Sequence, residues 1–592
     1  MCSIFGFNDI EKSHLSDLFM NSMRHRGPDH EGTTTIGGWV IGHQRLSIID
    51  TSDDANQPME WQDGVIAFNG EIYNYKELSS SKLSNIKLNT HSDTEVLLRC
   101  LHRYGLSILH ELNGMFAFSW FDAKRKKMIL CRDRFGVKPI HWMKQDGVIY
   151  YASEIRPLAK INHTSDFEYD VIDAFVEDTA TDYNELTFLK GVYQVPPGHY
   201  LEIDASGDVR CVRWYKGSDF LVDQGAFVNE ESILDYYEDI LTDAVRIRLR
   251  SDVPVCITLS GGLDSTIIYT LAKENLSSSI KPFHFMHPGS LTDESHIVSQ
   301  LVERFGDSFC SITAPPQEGF EELELAMKAS EFPIWNSSAL GYLRTYENIK
   351  NSGFKVVLEG HGSDEQLGGY PYMIQAACND YIKSGNYGKA IETHFIAHMT
   401  ENSALQQKRG GAKTYLLLLK TLLKCHLTAT PSFDEVVDNA FHYKILPIVF
   451  RAFDRLTMSQ SVESRAPFMD YRIVELNRQL PLDQKISDIG SKAILRKLLK
   501  RKGLNFIYEN RAKMGFASDL PVFFNDQDNK SKIAQLIDGP TQQRYMGLKR
   551  SALRSLDKDY IIWSDIDPIW KCFALQWMEQ YYTNISTNNI PE

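Results

Sequence analysis

The chain has 592 residues, room for several domains, and its 43% hydrophobic and 24% charged residues are those of a folded, water-soluble protein. A formal net charge of −14 argues against nucleic acid as a main partner, because phosphate backbones call for a basic surface. Nine cysteines without a CxxC pair speak against zinc sites and disulfide scaffolds and fit a reduced, cytoplasmic enzyme.

No basic start or long apolar core opens the chain, so no signal peptide is expected. The most apolar later run, Tyr415 to Cys425, is short and carries Lys420 and Lys424; it predicts a buried helix, and no membrane partner is expected. Cys2 follows Met1 directly. With Met1 removed, a free α-amine of pKa near ~8 would sit beside the thiol and take its proton, so one residue could be nucleophile and base. A cysteine at position 2 means little alone, but ordered motifs follow it. Arg24-His25-Arg26-Gly27-Pro28-Asp29 is a basic turn, and Gly42 to Asp50 carries Arg45 into an alternating strand. Phe68-Asn69-Gly70-Glu71 places Asn-Gly, a tight-turn signal, after an apolar strand. Ser92-Asp93-Thr94-Glu95 is a helix N-cap signature. Asn113 to Phe118 and Arg132-Asp133-Arg134-Phe135-Gly136 complete the set. From Asp204 to Asn229 the chain turns polar and irregular, which predicts a domain joint.

An amphipathic helix is predicted from Glu231 to Arg250, then a short apolar strand ending at Leu259, then Ser260-Gly261-Gly262-Leu263-Asp264-Ser265, then a helix. Such a turn aims backbone N–H groups and a helix N-terminus at one spot suited to phosphate, and Asp264 is a hard oxygen ligand suited to Mg²⁺. Ile280 to Met286 reads as a second strand, and Thr292-Asp293-Glu294 as the cap of a helix through Val302. Lys355 to Leu358 is a further strand, ending in Glu359-Gly360-His361-Gly362-Ser363-Asp364. Strands alternating with helices predict a parallel, doubly wound sheet with ligands at the strand C-termini. Lys492 and Arg496 read as a solvated helix face, with phosphate contact as the alternative.

The N-terminal motifs together resemble the class II glutamine amidotransferase domain, an N-terminal-nucleophile hydrolase with an αββα sandwich. The Ser260–Ser265 turn resembles the PP-loop of the α/β ATP pyrophosphatases, and the loop at Glu359 resembles the second signature of asparagine synthetase-like domains. Over essentially its whole length the chain resembles a glutamine-hydrolysing asparagine synthetase of bacterial type. The resemblance implies a glutaminase domain over 1–215 and a synthetase domain with helical additions over 226–592. It implies Cys2 as nucleophile, Asn69 and Gly70 as oxyanion hole, and Arg45, Glu71 and Asp93 around the glutamine. ATP would meet Leu259, Ser260, Gly261, Gly262, Asp264, Ser265, Phe285, Glu359 and Gly360, with Thr258 beside the adenine, and Asp264 and Asp364 would hold Mg²⁺. Glu463 and Arg465 would line the acceptor site, and Lys513 would stabilise charge on the phosphates. The family usually carries Glu where this chain has His361, and often a small residue where it has Glu359. His361, oriented by Glu463, would be the base, and aspartate, the acceptor the resemblance favours, competes with another carboxylic acid. A homodimer is the family's usual assembly.

Overall fold

The computed structural model describes residues 2–587 apart from 63, 163–165, 218, 287, 289–292, 314–318, 332, 335–337, 403–429, 510–519 and 540–542. Two six-stranded sheets lie face to face in the first part of the chain. One runs Val192–Gln194, His141–Gln145, Val148–Ala152, Ser3–Phe7, Trp39–Arg45, His30–Ile36; the other runs Val209–Arg213, His199–Ile203, Lys127–Arg132, Gly114–Asp122, Gly64–Ile72, Met59–Trp61. Alternation along the strands sends Ile4, Ile41, Ile149 and Tyr151 of the first sheet against Val65, Ala67, Ala117 and Leu130 of the second. The outer faces take helices: Asp93–Tyr104 covers the second sheet, and Ser16–Met23 and Ile155–Ile161 cover the first. This is the αββα sandwich. Ser92 caps the helix that Asp93 opens, its hydroxyl accepting from the Glu95 N–H at 3.2 Å.

The Asn-Gly pair departs from expectation. It makes no turn: Gly64–Ile72 runs straight through it, with Asn69 opposite Ala117 and Gly70 opposite Phe116. Gly70 adopts φ +147°, and a Cβ there would stand 2.0 Å from the Met115 carbonyl oxygen, so the position admits glycine alone.

The helix Glu230–Arg248, capped by Asn229, leads into a five-stranded parallel sheet ordered Cys310–Thr313, Lys281–Met286, Val255–Thr258, Val356–Leu358, Glu463–Arg465. The order reverses between Val255–Thr258 and Val356–Leu358, which pair directly. Strand C-termini at such a switch point open a crevice. Both glycine-rich loops leave from it. The polar joint is pinned, since Glu475 accepts from the N–H groups of Asp219 and Phe220 and from the Tyr215 hydroxyl. The run Tyr415 to Cys425 lies outside the described residues, and no helix among the described residues is long and apolar enough to cross a membrane.

Candidate functional site

Cys2 directly precedes the interior strand Ser3–Phe7 of the first sheet and is 8% exposed, at the wall of a pocket shared with Arg45, Gly70, Glu71, Asp93 and Glu463. With Met1 in place the Cys2 nitrogen is an amide, and it donates to Asn69 Oδ1 at 3.2 Å. That contact fixes the Asn69 amide so that Nδ2, fully buried, has no hydrogen-bond partner among the described residues. An orphaned donor beside a thiol is what a developing oxyanion requires. Arg45 is held by the Ser52 carbonyl (2.7 Å), Asn56 Oδ1 (2.8 Å) and the Asp50 carbonyl. Asp93 Oδ2 accepts from the Ile72 N–H at 2.9 Å. Burial, with Glu463 adding to it, pushes the Asp93 carboxyl up to about 6 against the Ile72 and Thr94 N–H groups. Burial also raises the Cys2 thiol, opposed by the Leu46 N–H and Arg45.

At the switch point, Asp264 opens the helix Leu263–Glu274 and Asp364 lies in the short helix Ser363–Leu367. Both reach Lys492 Nζ, Asp264 Oδ2 at 2.5 Å and Asp364 Oδ1 at 2.8 Å, and Ser363 Oγ donates to Asp264 Oδ1 at 2.8 Å. Burial works against the ammonium, but the two carboxylates outweigh it and hold the charge. Lys492 is therefore no solvated helix residue, as expected from sequence, but the buried cation at the centre of the site. Its one sequence signal is Gly490-Ser491-Lys492 at the head of an amphipathic helix. Arg496 is buried as well and donates to the carbonyls of Ser491 and Tyr508. The loops approach closely: a Cβ on Gly360 would stand 2.6 Å from Asp264 Cβ. Gly261 takes φ +80°, Ser265 Oγ accepts from the Ser260 N–H at 3.2 Å, and Gly262 is the helix N-cap. Leu259 and Phe285 are buried beside this turn, and Thr258 ends its strand. The two convergent carboxylates, all oxygen donors, fit a Mg²⁺ carried in with a polyphosphate. No cluster of three or more metal-binding side chains occurs among the described residues. Lys513 lies outside them.

Glu359 is 2% exposed beneath His361, whose Nε2 lies 3.2 Å from Glu359 Oε2. Tyr346 donates to this carboxylate at 2.9 Å and Ser464 donates to its other oxygen. Burial raises the Glu359 carboxyl, but His361, Ser464 and Tyr346 outweigh it and hold it below its usual value. The partner of His361 is thus Glu359, where the sequence reading expected Glu463, and the ring lies tilted by 38° against Phe453 with centroids 3.7 Å apart. The resemblance put Glu463 and Arg465 at the acceptor site, and in the structure both reach the first domain. Glu463 faces the Cys2 pocket, and Arg465 lies 3.1 Å from Glu71 Oε1. Strand alternation is the reason: of Glu463-Ser464-Arg465, only Ser464 points to the Glu359 side.

Comparison with known proteins agrees with this division. A glutamine amidotransferase domain family matches residues 1–215, and the asparagine synthase family matches residues 236–566. Asparagine synthetase [glutamine-hydrolyzing] 1 of Bacillus subtilis is 27% identical over 90% of this chain and 89% of its own. Asparagine synthetase B of Escherichia coli is 28% identical over 68% of this chain and 71% of its own. The amidase chyE of Penicillium rubens is 32% identical over 61% of this chain and 55% of its own. With an N-terminal thiol pocket, a phosphate-type switch point and a family match over more than half its length, the chain belongs to the asparagine synthase family of glutamine-hydrolysing enzymes.

Proposed function

We propose that the enzyme amidates a carboxylic acid, with aspartate as the first acceptor to test, using ammonia from glutamine and the energy of ATP. The observation that carries the reading is the convergence of Asp264 and Asp364 on Lys492, at the C-termini of two adjacent parallel strands. In the first half-reaction the Cys2 sulfur bonds to the glutamine amide carbon. Asn69 Nδ2 and the Gly70 N–H receive the oxyanion, the C–N bond breaks, and ammonia leaves with a proton from the thiol. Water then cleaves the thioester to glutamate. Arg45 suits the substrate carboxylate and Asp93 its ammonium. Release of Met1 makes the Cys2 amine available as the base.

In the second half-reaction an acceptor carboxylate oxygen attacks the α-phosphorus and pyrophosphate leaves. Lys492 carries positive charge toward the phosphates, and Lys513 is assigned the same task. Asp264 and Asp364 are the residues that would hold a Mg²⁺, which would supply charge neutralisation on the phosphates. Ammonia bonds to the acyl carbon, AMP departs, and His361, held by Glu359, takes the surplus proton. Ammonia in bulk water would be protonated, so it travels inside the protein between the sites.

A second reading, amidation of another carboxylic acid such as a sugar acid, a peptide or a natural-product intermediate, is favoured by the His361–Glu359 pair, which places an imidazole and a buried carboxylate at the acceptor loop. The test is one assay: protein, MgATP, glutamine and aspartate, read by mass spectrometry. Asparagine formed in step with AMP establishes the first reading. Glutamate release without asparagine turns the assay to other acids. Neither glutamate nor AMP with any acid would overturn both.

A further inference from the structure

We propose that Glu463 and Arg465, carried by the second domain, are positioning residues of the glutamine pocket, so that the glutaminase is complete only when the two domains are docked. The proposal rests on the reading of the Cys2 pocket as the glutaminase site.

Glu463 is fully buried and lines that pocket beside residues that all come from the first domain: Cys2, Arg45, Gly70, Glu71 and Asp93. Arg465 is fully buried too and anchored in its own domain. Its Nη1 donates to the carbonyls of Arg248 (2.8 Å) and Arg250 (2.6 Å), and its Nε donates to Glu463 Oε1 at 2.5 Å. The remaining nitrogen, Nη2, faces Glu71 across the domain boundary at 3.1 Å. Glu71 directly follows Asn69 and Gly70 on the strand Gly64–Ile72. Burial, with Glu463 and Asp93 adding to it, holds the Glu71 carboxyl well above its usual value, and Arg465 is the cation that opposes this. A guanidinium fixed by two backbone carbonyls cannot follow Glu71 if it moves, so it fixes Glu71 and the strand that carries the oxyanion donors.

The charges point the same way. Glu71, Asp93 and Glu463 are three carboxylates around one small pocket, and Arg45 and Arg465 are the cations beside them. A substrate ammonium needs carboxylate oxygens as acceptors, and of those lining the pocket Glu463 is the one that comes from the second domain. The neighbouring Ser464, on the opposite face of the strand, donates to Glu359. One three-residue strand therefore touches both sites.

The test uses the full-length protein with Glu463→Gln, Arg465→Met and Arg465→Lys, each checked by its thermal melt. Two rates are read: AMP formation supported by glutamine and by ammonium chloride, with the acceptor acid found active above. For Glu463→Gln the ratio of ammonium-supported to glutamine-supported rate should rise at least tenfold, mainly through a higher KM for glutamine. Arg465→Met should act through kcat of glutamate release, with Arg465→Lys restoring part of it. A second readout needs no turnover: the glutamine concentration that protects Cys2 from iodoacetamide should rise in Glu463→Gln. A ratio that stays the same or falls, as loss of an acceptor ligand would give, overturns the proposal. If the parent protein releases no glutamate from glutamine, the pocket assignment itself falls; if it does and the variants match it, only this inference falls.

Discussion

Asn69 Nδ2 has no partner among the described residues, and leaving a buried donor unpaired costs about 1–3 kcal/mol. The reaction supplies the missing acceptor. Asn69→Ala should therefore lower kcat for glutamate release by about 10²–10³ with little change in KM. Cys2→Ala should abolish that release while ammonium still supports AMP formation; loss of both activities would show that the sites are not separable. Asp93 makes a pH prediction. Burial, with Glu463 adding to it, places its carboxyl at about 6, so it is ionised at neutral pH and becomes neutral as pH falls through about 6. A neutral acid cannot hold an ammonium, so kcat/KM for glutamine should fall on the acid side of about 6. In Asp93→Asn that limb should vanish from the pH profile, and a limb that persists would assign it to another group. These residues were legible because each sits in a local motif. Lys492 was not, because a lysine on an amphipathic helix looks the same in sequence whether it faces water or two carboxylates from loops more than a hundred residues away.

At the scale of elements, both kinds of sheet were readable and their details were not. Strands alternating with helices announced the parallel sheet, and the resemblance carried by the N-terminal motifs implied the sandwich. The Asn-Gly pair was misread because its local preference is a turn, whereas ladder pairing with Phe116 and Ala117 holds it extended. The facing of Glu463-Ser464-Arg465 was not legible because three residues give no clue to which face looks where; only the pairing with Val356–Leu358 decides it. The close approach of the two glycine loops supports a prediction at this scale. In Gly360→Ala the new methyl would stand 2.6 Å from Asp264 Cβ and push the PP-loop away from its partner. A displacement near 1 Å costs on the order of 10²-fold in a positioned reaction, so acceptor-dependent pyrophosphate release should fall by about that much. Unchanged pyrophosphate release would mean that the loops need not be so close.

At the scale of the whole molecule, the two domains are joined by buried charge that sequence could not foretell, since its central partners are 428 positions apart. Arg26 is fully buried, donates through Nε to the Cys2 carbonyl at 3.1 Å, and meets Asp454 at 2.9 and 3.3 Å and Glu154 at 3.0 Å. Lys138 and Arg455 also reach Asp454, on the helix whose Phe453 covers His361. Burial would raise the Asp454 carboxyl, but Arg26, Lys138 and Arg455 outweigh it and hold it at about 2. Its stabilising charge is thus fully present above the ordinary carboxylate range and is lost as pH falls through about 2. Removing one member of a buried ion pair leaves the other uncompensated and costs about 3–5 kcal/mol. Asp454→Asn keeps the size and takes away the charge, leaving Arg26 with Glu154 alone. In scanning calorimetry at neutral pH the parent should unfold in one transition that carries both domains, because neither can leave without exposing its half of the network. The variant should melt lower and separate into two transitions, with glutamine-supported AMP formation declining before ammonium-supported formation on heating. A single transition at the parent's temperature would show that the buried charges set the geometry of the joint without holding it together.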